Sequence, residues 1–437
     1  MSERQAHQTY HTGILHHTPC RLCGAGLNRT FVDLGMSPLC ESFLSADQIN
    51  SAETTYPLHA YVCESCLLVQ LQAYVSPESI FEEYAYFSSY STSWVDHAAR
   101  YCDAMIDRFH LNGESLVVEV ASNDGYLLQH FVGRNIPVLG IEPAINVAQE
   151  AIAKNIPTMI EFFGKDLGRR IAGNGAGNGQ QADLIVGNNV LAQVPDLNDF
   201  VAGLKHLLKP EGIITLEFPH IATLIEHNQF DTIYHEHFSY FSLHTVQIMA
   251  RRHGLRVTDV EEIPTHGGSL RVYLSHDVAR GSVSVAVARL LERERLAGLH
   301  DIENYARFAK KAQETKRALL SLLIRLKEDG KSICGYGAPG KGNTLLNYCA
   351  IGTDFLDFTV DRNPYKHGRY TPGMHIPILP VDAIDREKPD YILILPWNLK
   401  EEIIAQMRHV GDWGGKFIVP IPSASIIDPV FQKEATL

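Results

Sequence analysis

Apolar and polar positions follow different patterns in different parts of the chain. From about residue 113, short apolar runs (Leu116 to Val120, Val138 to Ile141, Leu184 to Val186 and Gly212 to Phe218) are separated by longer stretches with helical spacing. Runs of this kind read as strands buried on both faces, and β-then-α alternation predicts a doubly wound parallel sheet. Residues 283–329 are strand-poor and carry Leu290, Leu291, Leu296, Leu319, Leu320, Leu322, Leu323 and Leu326 at helical intervals, which predicts two long joining helices. Strands resume at Ser332 to Tyr336, Phe355 to Val360 and Tyr391 to Leu395, so a second, smaller α/β unit is expected. From about 14 to 75 the pattern is irregular and lacks a convincing core of its own. The expected fold class is therefore α/β, with two Rossmann-like doubly wound domains and a small N-terminal domain. The divisions fall at 1–75, 76–282 and 283–437. Gly173 to Gly179 reads as a flexible loop inside the middle domain, since strands continue on both sides. The two α/β units share a layout but no sequence periodicity, so they are not read as a repeat.

Composition narrows the class. The 437 residues are 45% hydrophobic and 20% charged, enough to bury several cores. Thirty-eight Lys and Arg against fifty Asp and Glu give a net charge of −12, which opposes nucleic acid or an anionic membrane as the main partner. The polar, His-rich beginning has no apolar core of a secretory signal, and no run is long enough to span a bilayer. Eight cysteines in a chain of this length do not make a disulfide scaffold. A reducing, cytoplasmic compartment is expected.

Four of those cysteines form two pairs, Cys20-x-x-Cys23 and Cys63-x-x-Cys66. Each pair presents two sulfurs from a tight turn, and two such turns complete the tetrahedral four-sulfur site that zinc prefers. A structural Zn2+ held by Cys20, Cys23, Cys63 and Cys66 is expected to staple a segment so poor in core.

Val117-Val-Glu-Val-Ala-Ser-Asn-Asp-Gly-Tyr-Leu-Leu128 reads as a strand, a small-residue turn and a helix start. At such an edge a ligand meets backbone amides, so Glu119, Ser122, Asn123 and Gly125 are cofactor candidates. The next strand ends in Glu142-Pro143, where a carboxylate normally hydrogen-bonds a ribose diol. One glycine in the turn suits S-adenosyl-L-methionine (SAM) at least as well as NAD, because no phosphate needs close cradling. A third strand carries Asn188, Asn189 and Gln193 to the same edge, where their amides suit adenine, the methionyl group or substrate.

Tyr234-His-Glu-His237 follows the strand that ends at Phe218, and Thr265-His-Gly-Gly-Ser-Leu-Arg271 follows it. Histidine exchanges protons near neutrality and a neighbouring carboxylate tunes it, so Tyr234, His235, Glu236 and His237 form a candidate acid/base set. They do not match the H-E-x-x-H zinc pattern. In the last unit, Gly335, Gly337 and Gly340 spell G-x-G-x-x-G after a strand, and Asp361 ends the next strand. Gly342 stands where a P-loop would have Ser or Thr, which argues against an ATPase. Arg362, Lys366 and Arg369 beyond Asp361 are cations suited to a diphosphate.

The order of these motifs resembles the sugar C-methyltransferases that alkylate nucleotide-linked 4-keto-6-deoxy sugars, over essentially the full chain. The specific marks are the two cysteine knuckles, Tyr84-Ala-Tyr-Phe-Ser-Ser-Tyr-Ser91, Glu119-Val-Ala-Ser-Asn-Asp-Gly125, Tyr234-His-Glu-His237, His266-Gly-Gly-Ser-Leu270, Gly335-Tyr-Gly-Ala-Pro-Gly-Lys-Gly-Asn-Thr-Leu-Leu-Asn347 and Pro396-Trp-Asn398. The resemblance implies a zinc-bearing N-terminal domain, a SAM-binding middle domain and a C-terminal domain that grips a nucleotide-diphosphate sugar rather than NAD. It implies His237 as general base, with Tyr234 and Glu236 beside it. It also implies an active-site role for Tyr84 or Tyr86, with Phe87 next to the cofactor. His266, Gly337, Lys341, Asn343, Asn347 and Asn398 fall in the matched substrate segments. Where the family commonly has Asn-Val-Leu-Ala-His, this chain has Asn189-Val-Leu-Ala-Gln193, an amide that hydrogen-bonds substrate but moves no proton at neutral pH. The implied reaction removes a proton next to a ketone, with carbon 3 as the expected position, and methylates the enolate. Two other classes stay open: an NAD-dependent nucleotide-sugar oxidoreductase or epimerase, and a non-catalytic nucleotide-sugar binding protein, which would not need the Tyr234 to His237 set.

Overall fold

The computed structural model describes residues 18–76, 87–173 and 179–429. Three sheets organise them. The first holds β1 (Arg29–Ser37), β2 (Tyr56–Val62) and β3 (Val69–Leu71) in an antiparallel meander. The segment expected to be irregular is thus a sheet. Its alternation is hidden because β1 slips register against β2 between Thr30 and Val32 and again between Asp33 and Met36. Its apolar residues share one core with the joining helices: Phe31 stacks on Phe308 at 4.5 Å with the rings 4° from parallel.

The second sheet contains β4 (Val117–Val120), β5 (Val138–Ile141), β6 (Thr158–Met159), β7 (Ala182–Asn188) and β8 (Leu208–Pro219). A short β9 (Ser239–Tyr240) leaves this sequence region to pair with β3, Val69 opposite Tyr240. The sheet is then completed by β10 (Leu255–Ile263) and β11 (Ser269–His276). The order is β10-β11-β8-β7-β4-β5-β6, with β4 to β8 parallel to their neighbours and β11 antiparallel to β8. All four residues of β4 are buried, Val117 in the core on one face and Val118 and Val120 in the core on the other. That is why such strands read as continuous apolar runs. The chain leaves β4 for β5 on one side and β7 lies on the other, so a crevice opens at the carboxyl ends of β4 and β7.

Residues 283–329 fold as Val285–Leu296 and Phe308–Glu328 with a short helix, Ile302–Ala306, between them. The interruption follows from Gly298 at φ +79° and from Asp301, whose side chain accepts from the Glu303 amide as an N-cap. The third sheet holds β12 (Ile333–Tyr336), β13 (Thr359–Val360), β14 (Ile378–Leu379), β15 (Tyr391–Ile394), β16 (Lys416–Val419) and β17 (Ser425–Ile427), in the order β14-β13-β12-β15-β16-β17. Only β17 runs antiparallel to its neighbour in this sheet. Among the described residues no helix is long and apolar enough to cross a membrane.

Candidate active site

A cavity of about 290 Å³ opens at the carboxyl ends of β4, β5 and β7. Its walls include Trp94, Asn123, Tyr126, Glu142, Pro143, Glu161, Phe162, Phe163, Asn188, Asn189, Gln193 and His266. After β4 the chain turns sharply, with Ala121 at φ 58°, Asn123 at 51° and Gly125 at 77°. A Cβ on Gly125 would lie 2.3 Å from Ile156 Cδ1, so only glycine fits there. The Ser88 amide donates to Asn123 Oδ1 at 2.8 Å, tying the segment beyond Phe87 to this turn. Glu142 accepts from the Asn123 amide at 3.0 Å and the Ala144 amide at 2.9 Å. Burial nonetheless pushes its carboxyl upward.

Both amide atoms of Asn188 and Oδ1 of Asn189 are buried and have no partner, although both residues line the cavity. Buried polar atoms are rarely left so, and they mark where a polar ligand completes the site. Glu119 lies beneath the turn. Burial, with Glu142 and Asp124 nearby, holds its carboxyl well above the ordinary range, and it does not line the cavity. Ser122 Oγ faces β5, 2.5 Å from where a Cβ on Gly140 would sit. Phe87 packs against Tyr90 and Tyr365 at 5.6 and 6.3 Å rather than on the cavity wall. Tyr84 and Tyr86 lie outside the described residues.

The Tyr234 to His237 segment separates its side chains. His235 Nε2 contacts the Pro57 carbonyl at 3.2 Å, which turns the ring toward the first sheet. Glu236 accepts from Cys40 Sγ at 3.6 Å, and burial pushes its carboxyl to about 8. His237 Nδ1 lies 3.1 Å from the Thr232 carbonyl, which requires the ring proton on Nδ1 and leaves Nε2 with a free lone pair. Nε2 is buried and unpartnered, and burial lowers the imidazole to about 4. Tyr234 lies against this ring at 4.1 Å between centroids. His266, held at φ 55° and edge-on to Trp94 at 5.1 Å, is lowered to about 3 by burial, with the Lys341 charge adding to the shift.

The loop after β12 closes on this cluster. A Cβ on Gly337 would lie 2.6 Å from Pro396 Cδ, so the loop packs directly on the Pro396-Trp397-Asn398 corner. Lys341 Nζ donates to Asn398 Oδ1 at 2.9 Å and sits 5.1 Å over the Trp397 ring. The other cations and amides of this region serve the protein itself. Asp361 accepts from the Ala338 and Asn363 amides at 2.7 and 2.8 Å. Lys366 donates to the Ala338 carbonyl at 2.8 Å and pairs with Glu41 at 3.3 Å. Asn343 donates to the Cys40 carbonyl at 2.6 Å, leaving its Oδ1 unpartnered. Asn347 spends its amide hydrogens on the Asn343 and Pro372 carbonyls at 2.8 and 3.0 Å. Arg362 is at the exposed rim, 3.5 Å from Glu402.

The four knuckle cysteines converge. Cys20 and Cys66 sulfurs are 3.6 Å apart, Cys23 and Cys63 sulfurs 3.5 Å, and all four lie within 4.8 Å of one another. Zn–S bonds of about 2.3 Å in a tetrahedron place sulfurs roughly 3.8 Å apart, so the donor set fits zinc. Cys40 lies elsewhere, between Glu236 and Gly340.

Comparison with known proteins matches these parts one by one. Three family models match: a zinc binding domain over residues 20–81, a methyltransferase domain over 94–260 and the C-methyltransferase C-terminal domain over 264–422. C-methyltransferase NovU of Streptomyces niveus is 36% identical over 408 residues, which covers 93% of this chain and 96% of NovU. The chain belongs to the C-methyltransferase family. Among solved structures, a magnesium protoporphyrin IX methyltransferase from Synechocystis with bound SAM aligns at TM-score 0.33 and 12% identity, over 47% of this chain and all of that one. A SAM-dependent methyltransferase from Anabaena variabilis aligns at TM-score 0.35 and 15% identity, over 47% of this chain and 99% of that one.

This C-methyltransferase is a SAM-dependent enzyme whose structural zinc fits the four-cysteine cluster. Its cavity also shows what the sequence did not reveal. Glu161, Phe162 and Phe163 line it because they follow β6, a strand of two residues and too short to leave a pattern. Trp94 comes from the helix Thr92–Phe109, outside any motif.

Proposed function

We propose that this C-methyltransferase acts on a nucleotide-linked 4-keto-6-deoxy sugar, removing the proton at carbon 3 and methylating the enolate. The observation that carries the reading is His237. Its tautomer is fixed by the Thr232 carbonyl, its Nε2 lone pair is buried without a partner, and burial keeps it neutral. A neutral imidazole with an unshared lone pair is in the protonation state a general base requires. Charge interactions couple it to His266, which lines the cavity, and to Lys341 of the C-terminal loop.

SAM, held by Asn123, Glu142, Asn188 and Asn189, supplies an electrophilic methyl group on sulfur. His237 Nε2 accepts the proton, the C–H electron pair forms the enolate double bond, and the ketone's π pair moves onto oxygen. Positioning then completes the reaction, because the carbanion needs only an in-line approach. Gln193 hydrogen-bonds substrate from the cavity wall and takes no part in proton transfer.

The deciding experiment is mass spectrometry of products after incubation with SAM and a panel of nucleotide-linked keto-sugars. A product heavier by one methylene, with the added carbon on ring carbon 3, is expected. No mass gain with any keto-sugar, together with NAD retained by the purified protein, would overturn the reading.

A further inference from the structure

An enolate needs more than a base, because the charge leaving carbon must be received at oxygen. In a water-excluded site, a preorganised donor at that oxygen is commonly the largest single contribution to rate. Among the described residues lining the His237 side of the site, the group with the right charge and placement is Lys341.

In glycine-rich loops that open a helix, a lysine at this position normally reaches for phosphate. Here the side chain turns the other way, toward the Pro396-Trp397-Asn398 corner, donating to Asn398 Oδ1 at 2.9 Å and lying over the Trp397 ring at 5.1 Å. Trp397 in turn donates its indole N–H to Asp231 Oδ2 at 2.6 Å. Its ring edge lies against Gly267, where an added Cβ would come within 3.1 Å of it. Asp231 adjoins Thr232, whose carbonyl fixes His237, and Gly267 adjoins His266. The ammonium is therefore placed inside the acid/base cluster, although it belongs to the C-terminal unit.

Among the buried atoms of this cluster without a partner are His237 Nε2 and Asp231 Oδ1. Burial lowers Lys341, the Asp231 carboxylate opposes that shift, and Lys341 in turn opposes protonation of His237. An unpartnered imidazole nitrogen and a lysine ammonium thus meet in one cluster. The ammonium has three protons and gives one to Asn398.

We infer that Lys341 is a catalytic residue: its ammonium hydrogen-bonds the ketone oxygen and takes up the charge of the enolate while His237 Nε2 takes the proton. The inference rests on the proposed keto-sugar reaction. It contrasts with the alternative that Lys341 grips the diphosphate. Proton and electrons balance within this step, since the proton moves from carbon to His237 and the pair from the C–H bond ends on oxygen. Methyl transfer then returns the pair to carbon, breaks the C–S bond of SAM and leaves the proton on His237 to be lost to solvent.

The test separates the two roles. Solvent deuterium exchange next to the ketone is measured at saturating nucleotide-linked 4-keto-6-deoxy sugar with S-adenosylhomocysteine bound, and calorimetry gives the affinity for the free nucleoside diphosphate. Lys341→Met should lower exchange by about 10²- to 10³-fold, the usual cost of one oxyanion donor, and leave diphosphate affinity within about threefold. Lys341→Arg, which keeps the charge, should retain exchange to within about tenfold. Unchanged exchange in Lys341→Met with diphosphate affinity down tenfold or more would make Lys341 a phosphate ligand and overturn the assignment. So would a Lys341→Arg protein that is as slow as Lys341→Met. SAM affinity reports whether each variant folds, and Lys341→Arg decides the matter where Lys341→Met does not bind SAM. A wild-type enzyme that binds the diphosphate but exchanges no keto-sugar would instead remove the proposed reaction, and this role with it.

Discussion

Glu142 gives the sharpest test of the cofactor cavity. The side chain is 5% exposed, at the end of β5, and each carboxylate oxygen accepts one backbone amide, Asn123 at 3.0 Å and Ala144 at 2.9 Å. It therefore pins the left-handed turn after β4, which belongs to the cavity wall, to the start of the helix Ile145–Ala153. Each oxygen keeps a second lone pair for a ribose hydroxyl. Glu142→Gln preserves the shape but sets an NH2 group against one of the amides, leaving a buried donor unsatisfied at a cost of about 1–3 kcal/mol. Losing the charged acceptor at the ribose removes another hydrogen bond of about 1.5–3 kcal/mol, which is on the order of 10- to 100-fold in SAM affinity. Calorimetry with SAM and S-adenosylhomocysteine, paired with thermal unfolding of the unliganded protein, reads both effects. Glu142→Ala should cost more stability than Glu142→Gln, since it strips both acceptors. A Glu142→Gln protein that melts lower yet binds SAM with unchanged affinity would show that the carboxylate only holds backbone, and would remove it from the cofactor site.

The remaining predictions concern the base, the metal and a buried carboxyl. His237→Gln should keep both ligands and lose about 10²-fold or more in rate. Because burial lowers this imidazole to about 4, it stays neutral well below the ordinary histidine range, and the acid limb of the wild-type rate profile should lie below pH 6.5; a limb centred near 6.5 would argue against His237. Metal analysis should find roughly one zinc per chain in wild type and none in the Cys63→Ser, Cys66→Ser double variant, whose activity should fall only as far as its fold does, because four sulfurs leave zinc no open position. Full zinc in that variant would displace the site. Glu236, pushed to about 8, keeps a proton in the folded state that the unfolded chain releases above about 4.5. Its contribution to stability is complete below that lower value and is lost as pH rises toward 8, with a limiting slope of about 1.4 kcal/mol per pH unit. Glu236→Gln should flatten that decline in unfolding curves taken between pH 5 and 8.5, and a parallel decline in both proteins would refute it.

What could be read in the sequence depended on how regularly each element buries its residues. The strands of the middle sheet were legible because they are buried on both faces, as β4 shows, and the turn residues Asn123, Glu142 and Asn188 followed from their position at strand ends. The first sheet was not legible, since β1 carries two register slips and its fourth strand, β9, comes from far along the chain. Within Tyr234 to His237 the residue types alone left the roles open, and His237 was singled out only by the family resemblance. His235 and His237 are the same residue type two positions apart, and only their carbonyl partners, Pro57 for one and Thr232 for the other, tell them apart. Lys366 shows the reverse problem: its charge suggested a phosphate ligand, but Glu41, in a segment more than three hundred residues earlier, claims it. Pairings between distant segments leave no local pattern to read.

Those same pairings explain why a methyltransferase of this kind carries a zinc-stapled element that does no chemistry. Transfer between two ligands fails steeply with small misplacement, since an error of about 1 Å can cost on the order of 10²-fold. The two Rossmann-like units are joined by helices at residues 285–328, and a helical joint alone does not fix their angle. The N-terminal element touches both. Its β3 pairs with β9, two residues beyond His237, and Cys40 donates to Glu236. From the same loop, the Cys40 carbonyl accepts from Asn343 and Glu41 pairs with Lys366, both in the C-terminal unit. The zinc cluster sits at the base of this brace, with Cys63 and Cys66 in the turn between β2 and β3. Metal loss should therefore act on rate through the placement of the His237 loop against the Lys341 corner, not through either ligand's own pocket.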